Sequence, residues 1–509
     1  GFYGLGRVNQ IYLGGGGFSL ILPNISSVRE SLPVIEMRLN TWLFKLHAAK
    51  LSVSFATTAL SGLDIKMRAE SSEKHPLNQA WDAISSELGK KKLTKFQANL
   101  HELLQPISSH GLEECKTCHK ETAQLFDSGD NEKVICSVCN SFLEYGRFLS
   151  RTDSVFLKFS EPNLNGVFPV IKEEEGAISI KSVHLCQTEE FDPGAFVLHN
   201  NHESLIPKIY WSKTVAKDSH EVLDFTELAK QSQGVERIGV FRADIDNLGK
   251  VFKAENKEDD KIKYGFNPKY KSLSRDTSLS RNIAKFFTHY LDDLLLDTRF
   301  QNKITVVYAG GDDLFLVGAW DAVIDAAREI NVKFQQYTLG ALTLSGGISI
   351  HQAKFPLYRM ADASHQAELV AKGNKQSNKN SLCIYFDEGI FRKERASHVF
   401  SWEEWDQKVW SYTKTITDFN LSTGLLYQIL IHIRDIIDDK QSYSFPRLIY
   451  SIARSEETNT ELKNNQEWVV FRDKLFEYIE KQEIQLLELR YIETALNYLL
   501  LIKRGEDHE

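Results

Sequence analysis

The pattern of apolar and polar positions divides the chain into a mixed α/β part and a helical part. Ile238-Gly239-Val240-Phe241-Arg242-Ala243 is a short apolar run of β character that ends in Asp244-Ile245-Asp246-Asn247. From Leu279 onward, apolar side chains return at Ile283, Phe286, Phe287, Tyr290, Leu291 and Leu294. They form one face of a 3.6-residue period and predict a helix. Ile304 to Tyr308 is apolar and rich in β-branched residues, the signature of a buried strand, and Leu314 to Val317 reads as its return strand. Val323, Ala326, Ala327, Ile330 and Phe334 mark another helix. Leu342 to Ile350 and Leu382 to Phe386 supply two more strands, with a helix from about Tyr358 to Lys372 between them. After about residue 395 the period is helical to the end, with one stripe at Leu425, Leu426, Ile429, Leu430, Ile433, Ile436 and Ile437 and another at Leu496, Leu499, Leu500 and Lys503.

The order βαββαβαβ predicts a ferredoxin-like core with a mostly antiparallel sheet. Part of it has an echo near the start of the chain. Tyr12-Leu13-Gly14-Gly15-Gly16-Gly17-Phe18-Ser19-Leu20 and Tyr308-Ala309-Gly310-Gly311-Asp312-Asp313-Leu314-Phe315-Leu316 both read as strand, tight glycine turn, strand. The expected fold class is therefore α+β and multidomain. Residues 1–89 are expected to form a partial first copy, 90–145 a cysteine-bearing insert, and 146–225 a mixed, β-leaning linker domain. Residues 226–394 are the expected second copy and 395–509 an all-α domain for packing and docking. The chain opens at Gly1-Phe2-Tyr3-Gly4 and reaches a glycine turn at once, which suggests that N-terminal material is missing.

Composition narrows the function. The 509 residues are 42% hydrophobic and 26% charged, a globular balance that excludes disorder as the overall state. A net charge of −8 excludes a wholly basic protein that coats nucleic acid, although a local basic groove remains open. No apolar run reaches the ~18 residues of a transmembrane helix and no signal peptide opens the chain, so a cytoplasmic protein with no membrane partner is expected. Gly89-Lys90-Lys91-Lys92-Leu93-Thr94-Lys95-Phe96 is the clearest basic run; it reads as a solvated loop or as a contact to RNA phosphates.

Two constellations carry chemistry. Cys115-x-x-Cys118 and Cys136-x-x-Cys139, 17 residues apart, are two knuckles whose thiolates complete a tetrahedron around zinc. The competing reading, a redox pair, does not account for two matched pairs. With all four positions cysteine, the metal would stabilise folding rather than catalyse. Cys186 and Cys383 are lone thiols in apolar surroundings and read as core, and His119 as exposed. In Gly310-Gly311-Asp312-Asp313, a glycine pair at a hairpin turn lets the backbone approach a phosphate-bearing ligand. Asp312, Asp313 and Asp244 at the first strand's end then offer hard oxygen ligands at one sheet edge, suited to Mg2+ or Mn2+ on nucleotide phosphates. A polar hairpin turn without a ligand is the plain alternative.

These residues carry a resemblance. Val240 to Phe386 resembles the palm domain of GGDEF-type nucleotidyl cyclases and, more closely, that of the large subunit of type III-A CRISPR–Cas (Csm) effector complexes. Asp244-Ile245-Asp246-Asn247-Leu248-Gly249 resembles that subunit's first metal-binding strand end, and Gly310 to Asp313 its GGDD signature. Ala371-Lys372 followed by Lys379-Asn380 resembles its lysine-bearing segment before the last strand, here spread by a polar insertion. The four-cysteine insert between two palms and the helical end resemble its layout.

The resemblance implies an enzyme that synthesises cyclic oligoadenylates from ATP when target RNA is bound, in antiviral defence. It implies two ATP molecules between the palms, the 3′-hydroxyl of one attacking the α-phosphate of the other with release of pyrophosphate. Asp244, Asp312 and Asp313 would hold the metals, and Asp246 would cap the following loop or assist. Gly310 and Gly311 would admit the nucleotide, Gly15 and Gly16 would shape a second pocket, and Lys372 would neutralise triphosphate charge or simply end a solvated helix, with Lys379 a weaker counterpart. Ser280, beside Arg281, would present a helix N-terminus to the nucleotide or cap the helix. Implied partners are the other Csm-complex subunits (repeat-tag-binding, small helical and backbone), the guide RNA and target RNA. Gly16 and Gly17 stand where the second copy has Asp312 and Asp313, so one catalytic centre is expected. The family's HD nuclease domain is not assignable here, because no His-Asp dipeptide occurs in the sequence. A catalytically silent scaffold capping the guide-RNA complex and the related type III-B large subunit are the alternatives, with a stand-alone dinucleotide cyclase a third.

Overall fold

In the computed structural model both glycine-rich motifs close β-hairpins. The structure describes residues 9–506 apart from 48, 67–74, 106–110, 128–132, 152–154, 161–168, 175–176, 187–195, 199–207, 210–213, 219–220, 255–270, 375–378, 387–397 and 440–443. Two units are distinguished: Gly1–Lys213 with His220–Val222 and Gly249–His289, and Thr214–Ser219 with Leu223–Leu248 and Tyr290–Glu509. Among the described residues no helix is long and apolar enough to cross a membrane.

In the first unit, β1 (Gln10–Gly14) and β2 (Gly17–Leu20) pair antiparallel through Gly14↔Gly17, Leu13↔Phe18 and Tyr12↔Ser19, then shift register to Gln10↔Leu20. The two turn residues, Gly15 and Gly16, have φ of 54° and 70°. Positive φ at both central positions is what a type I′ hairpin needs, and glycine adopts it without strain. Helices α1 (Ser26–His47) and α2 (Pro76–Leu93) follow. They are tied by Lys91, whose Nζ donates to Glu36 Oε2 at 2.8 Å and to the Phe55 carbonyl at 2.5 Å. The basic run expected as a loop is thus mostly the last turn of α2, where cations oppose the helix dipole. A five-stranded sheet spans the β-leaning stretch, in the order Lys208–Ile209, Phe196–Leu198, Val155–Ser160, Ala177–Cys186, Pro169–Glu174. The side chain of Cys186 and the opening Gly1-Phe2-Tyr3-Gly4 lie outside the described residues.

Helix α3 (Leu273–Lys285) belongs to this unit, and β1 packs against it. Ser272 caps it by accepting from the Arg275 N–H at 3.3 Å, and Lys271 and Asp276, both buried, pair at 2.7 Å. The helix therefore begins well before the expected Leu279. Before Leu279 its only apolar residue is Leu273, so an apolar period cannot find its start. It passes into a π-helical segment (Phe286–Tyr290) and a last α-turn (Leu291–Leu295).

The second unit is built on a six-stranded sheet of β3 (Ile238–Ile245), β4 (Ile304–Gly310), β5 (Asp313–Ala319), β6 (Leu344–His351), β7 (Ser381–Tyr385) and β8 (Val399–Ser401). The order across it is β4-β5-β3-β6-β7-β8, antiparallel except for β6 and β7. The expected element order is present, with β8 as an added edge strand. Two glycines show how the sheet is covered. A Cβ at Gly239 would lie 2.8 Å from the Trp320 Cα of α4 (Trp320–Thr338). A Cβ at Gly347 would lie 2.2 Å from the Glu368 nitrogen of α5 (Leu357–Lys372). Gly347 is the partner of Arg242, three residues from Gly239, so the two glycines face opposite ways. Helix α4 covers one face and α5 the other.

The helical end packs within this same unit. Trp320, fully buried, donates from Nε1 to the Val235 carbonyl at 3.1 Å and meets Tyr498 edge-on at 5.2 Å. Arg328 reaches Asp406 at 2.6 Å and lies over the Trp410 ring at 4.4 Å. The expected stripes are buried: Leu425, Leu426, Ile429, Leu430, Ile433 and Ile436 on α7 (Thr423–Asp439; α6 is Trp410–Asp418), and Leu496, Leu499 and Leu500 on the long last helix, Gln482–Glu506.

Candidate active site

The second hairpin repeats the first down to its irregularity. Gly310↔Asp313, Ala309↔Leu314 and Tyr308↔Phe315 pair, and the register then shifts to Val306↔Leu316. The bulge falls at the position equivalent to that between Gln10 and Tyr12, and every partner corresponds at one constant offset along the chain. The turn differs: only Gly311, at φ 67°, has a positive φ, the pattern of a type II′ turn, which leaves the second central position to Asp312.

Strand β3 runs apolar through Phe241 and becomes charged where it leaves the core. Asp244 is the direct antiparallel partner of Asp313, so the two backbones lie side by side at one end of the sheet. Asp312 closes the group. One carboxylate oxygen from each of the three lies within 4.8 Å of the others. Helix α5 brings the cations. Lys372 donates from Nζ to Asp244 Oδ2 and, at 2.6 Å, to Glu368 Oε1 one turn back. Glu368, whose side chain is 4% exposed, also accepts from Arg242 Nε at 3.0 Å, and His365 Nδ1 stands 3.4 Å away. Glu368 and Arg242 were not anticipated from the sequence. The available signal was the run Ser364, Ala367, Glu368, Ala371, an i, i+3, i+4, i+7 stripe of small residues that marks the glutamate as facing the sheet.

The acid cluster is under electrostatic stress. Burial raises Asp244 to about 7, against the pull of Lys372 and with the charges of Asp312 and Asp313 adding to the rise. Burial and then Asp312 raise Asp313, while Arg242 and Lys372 oppose. Burial works against the charge on Lys372, but its contacts with Asp244 and Glu368 prevail and hold the ammonium above its ordinary range. Tyr308, whose hydroxyl donates to the Gly310 carbonyl at 3.1 Å, is raised by burial and by Asp313 and Asp312. Crowded carboxylates that resist ionisation are relieved by a divalent cation, and three hard oxygen donors suit Mg2+ or Mn2+.

The remaining expected residues fall in different places. A Cβ at Gly310 would meet nothing nearer than Tyr308 at 3.8 Å, so no protein atom demands a glycine there. Asp246 neither caps its own loop nor joins the acids. Its Oδ2 accepts from Thr343 Oγ1 at 2.8 Å and from the Asn380 N–H at 2.9 Å, and so pins the turn carrying Lys379. Ser280 is buried inside α3, more than a turn beyond its start at Leu273, and offers no helix N-terminus. Gly15 and Gly16 form the open turn of the first hairpin, whose four glycines bring no carboxylate.

The four cysteines of the insert also converge. Cys115 and Cys139 Sγ are 3.8 Å apart and Cys118 and Cys136 Sγ 3.6 Å, close to the ~3.8 Å edge of a tetrahedron with ~2.3 Å zinc–sulfur bonds. Burial works against the Cys115 thiolate, but the N–H groups of Cys118, Cys136 and Thr117 hold it at about 6. His119 turns away to Glu114 at 2.5 Å and is exposed. Cys383 is wholly buried, as expected of a core thiol.

Residues 237–383 match the family described as Cas10/Cmr2, second palm domain, and residues 3–109 match Csm1 subunit domain B. A curated relative from Enterococcus italicus, named CRISPR system single-strand-specific deoxyribonuclease Cas10/Csm1 (subtype III-A), is 28% identical over 477 residues, 89% of this chain and 55% of the relative. The chain is similar to Cas10/Csm1 proteins of subtype III-A CRISPR systems. The Cas10/Csm1 relative from Mycobacterium tuberculosis is 28% identical over 80% of this chain and 50% of its own. The chain thus spans about half the length of these curated relatives. Among solved structures, an apo Csm1-Csm4 cassette superposes with a TM-score of 0.68 at 21% identity, covering 98% of this chain and 63% of that one. The same cassette described in complex with cA3 gives 0.68 at 22%, with the same coverage. At these identities the likeness is one of fold.

Proposed function

We propose that the chain carries the nucleotidyltransferase centre of a type III-A effector complex and joins ATP molecules into cyclic oligoadenylates. The observation that carries this reading is the convergence of Asp244, Asp312 and Asp313 within 4.8 Å, with Lys372 beside them. A scaffold with no chemistry has no use for three partly buried carboxylates crowded together, with Asp244 and Asp313 raised by burial and by their acidic neighbours. That Csm1-Csm4 cassettes are described in complex with cA3, cA4 and one ATP supports the choice of nucleotide.

In this reading Asp244, Asp312 and Asp313 hold divalent cations against the triphosphate. When bound, such ions lower the pKa of the attacking hydroxyl and neutralise charge on the leaving group. Gly310 and Gly311 leave the backbone open to the nucleotide, and Lys372 meets a phosphate oxygen. The 3′-hydroxyl oxygen forms a bond to the α-phosphorus as the α–β bridging bond breaks; pyrophosphate leaves with the bonding electrons, and the hydroxyl proton passes to solvent. The Gly14–Gly17 turn brings no acid, so among the described residues one carboxylate set is available for the catalytic ions. The cysteine cluster holds structural zinc, because all four positions are thiolates and no coordination place is left open.

The partners follow from the family: the other Csm-complex subunits, a guide RNA and a target RNA, in the cytoplasm. The deoxyribonuclease in the relatives' names refers to those longer proteins, and the carboxylate centre accounts for nucleotidyl transfer alone. The test is to incubate the reconstituted complex with labelled ATP, Mg2+ and target RNA. Rings that depend on RNA and disappear in Asp312→Ala with Asp313→Ala support the reading. Turnover undiminished in that variant overturns the site, and no turnover by the unaltered complex favours a silent scaffold.

A further inference from the structure

Glu368 is a fourth carboxylate beside the acid cluster, and its surroundings separate it from the other three. Both of its oxygens are taken, Oε1 by Lys372 and Oε2 by Arg242 and His365. Its side chain is 4% exposed, and it stands outside the group whose oxygens converge on one point. An acid so placed does not ligate an ion. Its backbone is fixed as well, since α5 passes so close to β6 that only glycine fits at position 347.

We propose that Glu368 is a positioning residue: it tethers Lys372 so that the ammonium, paired with Asp244 in the free protein, passes to the substrate's phosphate oxygens when Asp244 takes up a divalent cation. This rests on the reading of the acid cluster given above. Lys372 and a metal ion compete for Asp244, and two cations a few ångströms apart on one carboxylate repel each other. Once the ion arrives, Asp244 no longer holds Lys372, whose four-carbon stem has many rotamers. Glu368, one helical turn away, still accepts from Nζ and keeps the charge at the rim of the acid cluster, where a triphosphate would arrive. Arg242 holds Glu368 from the sheet side, with Nε 3.0 Å from Oε2.

The test uses the whole chain with Mg2+ and a non-reacting ATP analogue with a methylene between the α- and β-phosphorus, with binding followed by calorimetry. Glu368→Gln and Lys372→Ala are each expected to weaken binding by about tenfold. The double variant should be no weaker than Lys372→Ala alone, because the effect of Glu368 runs through the lysine. Glu368→Asp, which keeps the charge on a shorter arm, should recover part of the loss. In ATP turnover the same variants should raise KM more than they lower kcat. Thermal midpoints and near-ultraviolet dichroism check folding, and if Glu368→Gln does not fold the cycle is run with Glu368→Asp. Analogue affinity unchanged in Glu368→Gln, or losses that add in the double variant, would overturn the tether. If the unaltered chain fails to bind the analogue, the nucleotide reading falls and takes this inference with it.

Discussion

Gly347→Ala is the sharpest test of how the sheet aims helix α5. The added methyl carbon would sit 2.2 Å from the Glu368 nitrogen, 2.4 Å from the Ser364 oxygen and 2.7 Å from the Ala367 carbonyl carbon. All three are backbone atoms, so no side chain can swing aside. Restoring ordinary contact requires α5 to retreat from β6 by about 1.2 Å. Overpacking of this kind costs about 3 kcal/mol, the upper end of the usual range, because the helix must move as a body. For a unit of this size that corresponds to a thermal midpoint lower by about 6–12 °C. The same retreat carries Glu368 and Lys372 away from Arg242 and Asp244, so nucleotide binding falls even at temperatures where the variant is folded. Gly310→Ala is the control, since its methyl would find nothing closer than 3.8 Å and its midpoint should not move. Differential scanning fluorimetry and urea unfolding report both. A Gly347→Ala midpoint within a degree or so of the parent would refute the close approach of α5, and with it the account of what fixes Glu368.

Three further outcomes follow. Asp312→Ala with Asp313→Ala should reduce oligoadenylate synthesis by at least about a hundredfold while raising the metal-free thermal midpoint, since it removes like charges that crowd Asp313. His351 is buried against the Phe355 ring at 4.8 Å with neither ring nitrogen bonded, and burial holds it near pH 4, below its ordinary 6.5. The unfolded chain therefore binds the proton first, and stability should decline as pH falls from about 6.5 toward 4, by up to about 3 kcal/mol; His351→Phe should flatten that part of the pH–midpoint curve. One equivalent of zinc per chain should be found by elemental analysis, and Cys118→Ser should lose it together with protection of the insert against protease.

Much of this was legible in the sequence for identifiable reasons. The second hairpin announced itself because two glycines between apolar β runs allow little but a tight turn, and acids flanking that turn must gather at one end of the sheet. The four-cysteine cluster was legible because the spacing within each knuckle is local. What escaped was set by tertiary packing. The first turns of α3 carry one apolar residue, Leu273, and are anchored by the buried Lys271–Asp276 pair, so periodicity placed the start too late and made Ser280 a helix opening. Lys91 sits in a run that reads as solvated, yet it reaches Glu36 far along the chain. Glu368 looks like a solvent-facing acid until the glycine at 347 draws its helix onto the sheet. Asp246, a residue pair away from Asp244, turned out to brace Thr343 and Asn380 instead of serving its own loop.

The shared bulge of the two hairpins separates shape from reactivity. A fold that keeps the same pairing, shift and all, with acids at one turn and only hydrogens at the other, does not need its chemistry in order to stand. The same ladder therefore accepts either acids or bare glycine at its turn without remodelling its frame. What sits at the tip is a separate choice from the strands that carry it, so swapping the two tips should leave both ladders paired.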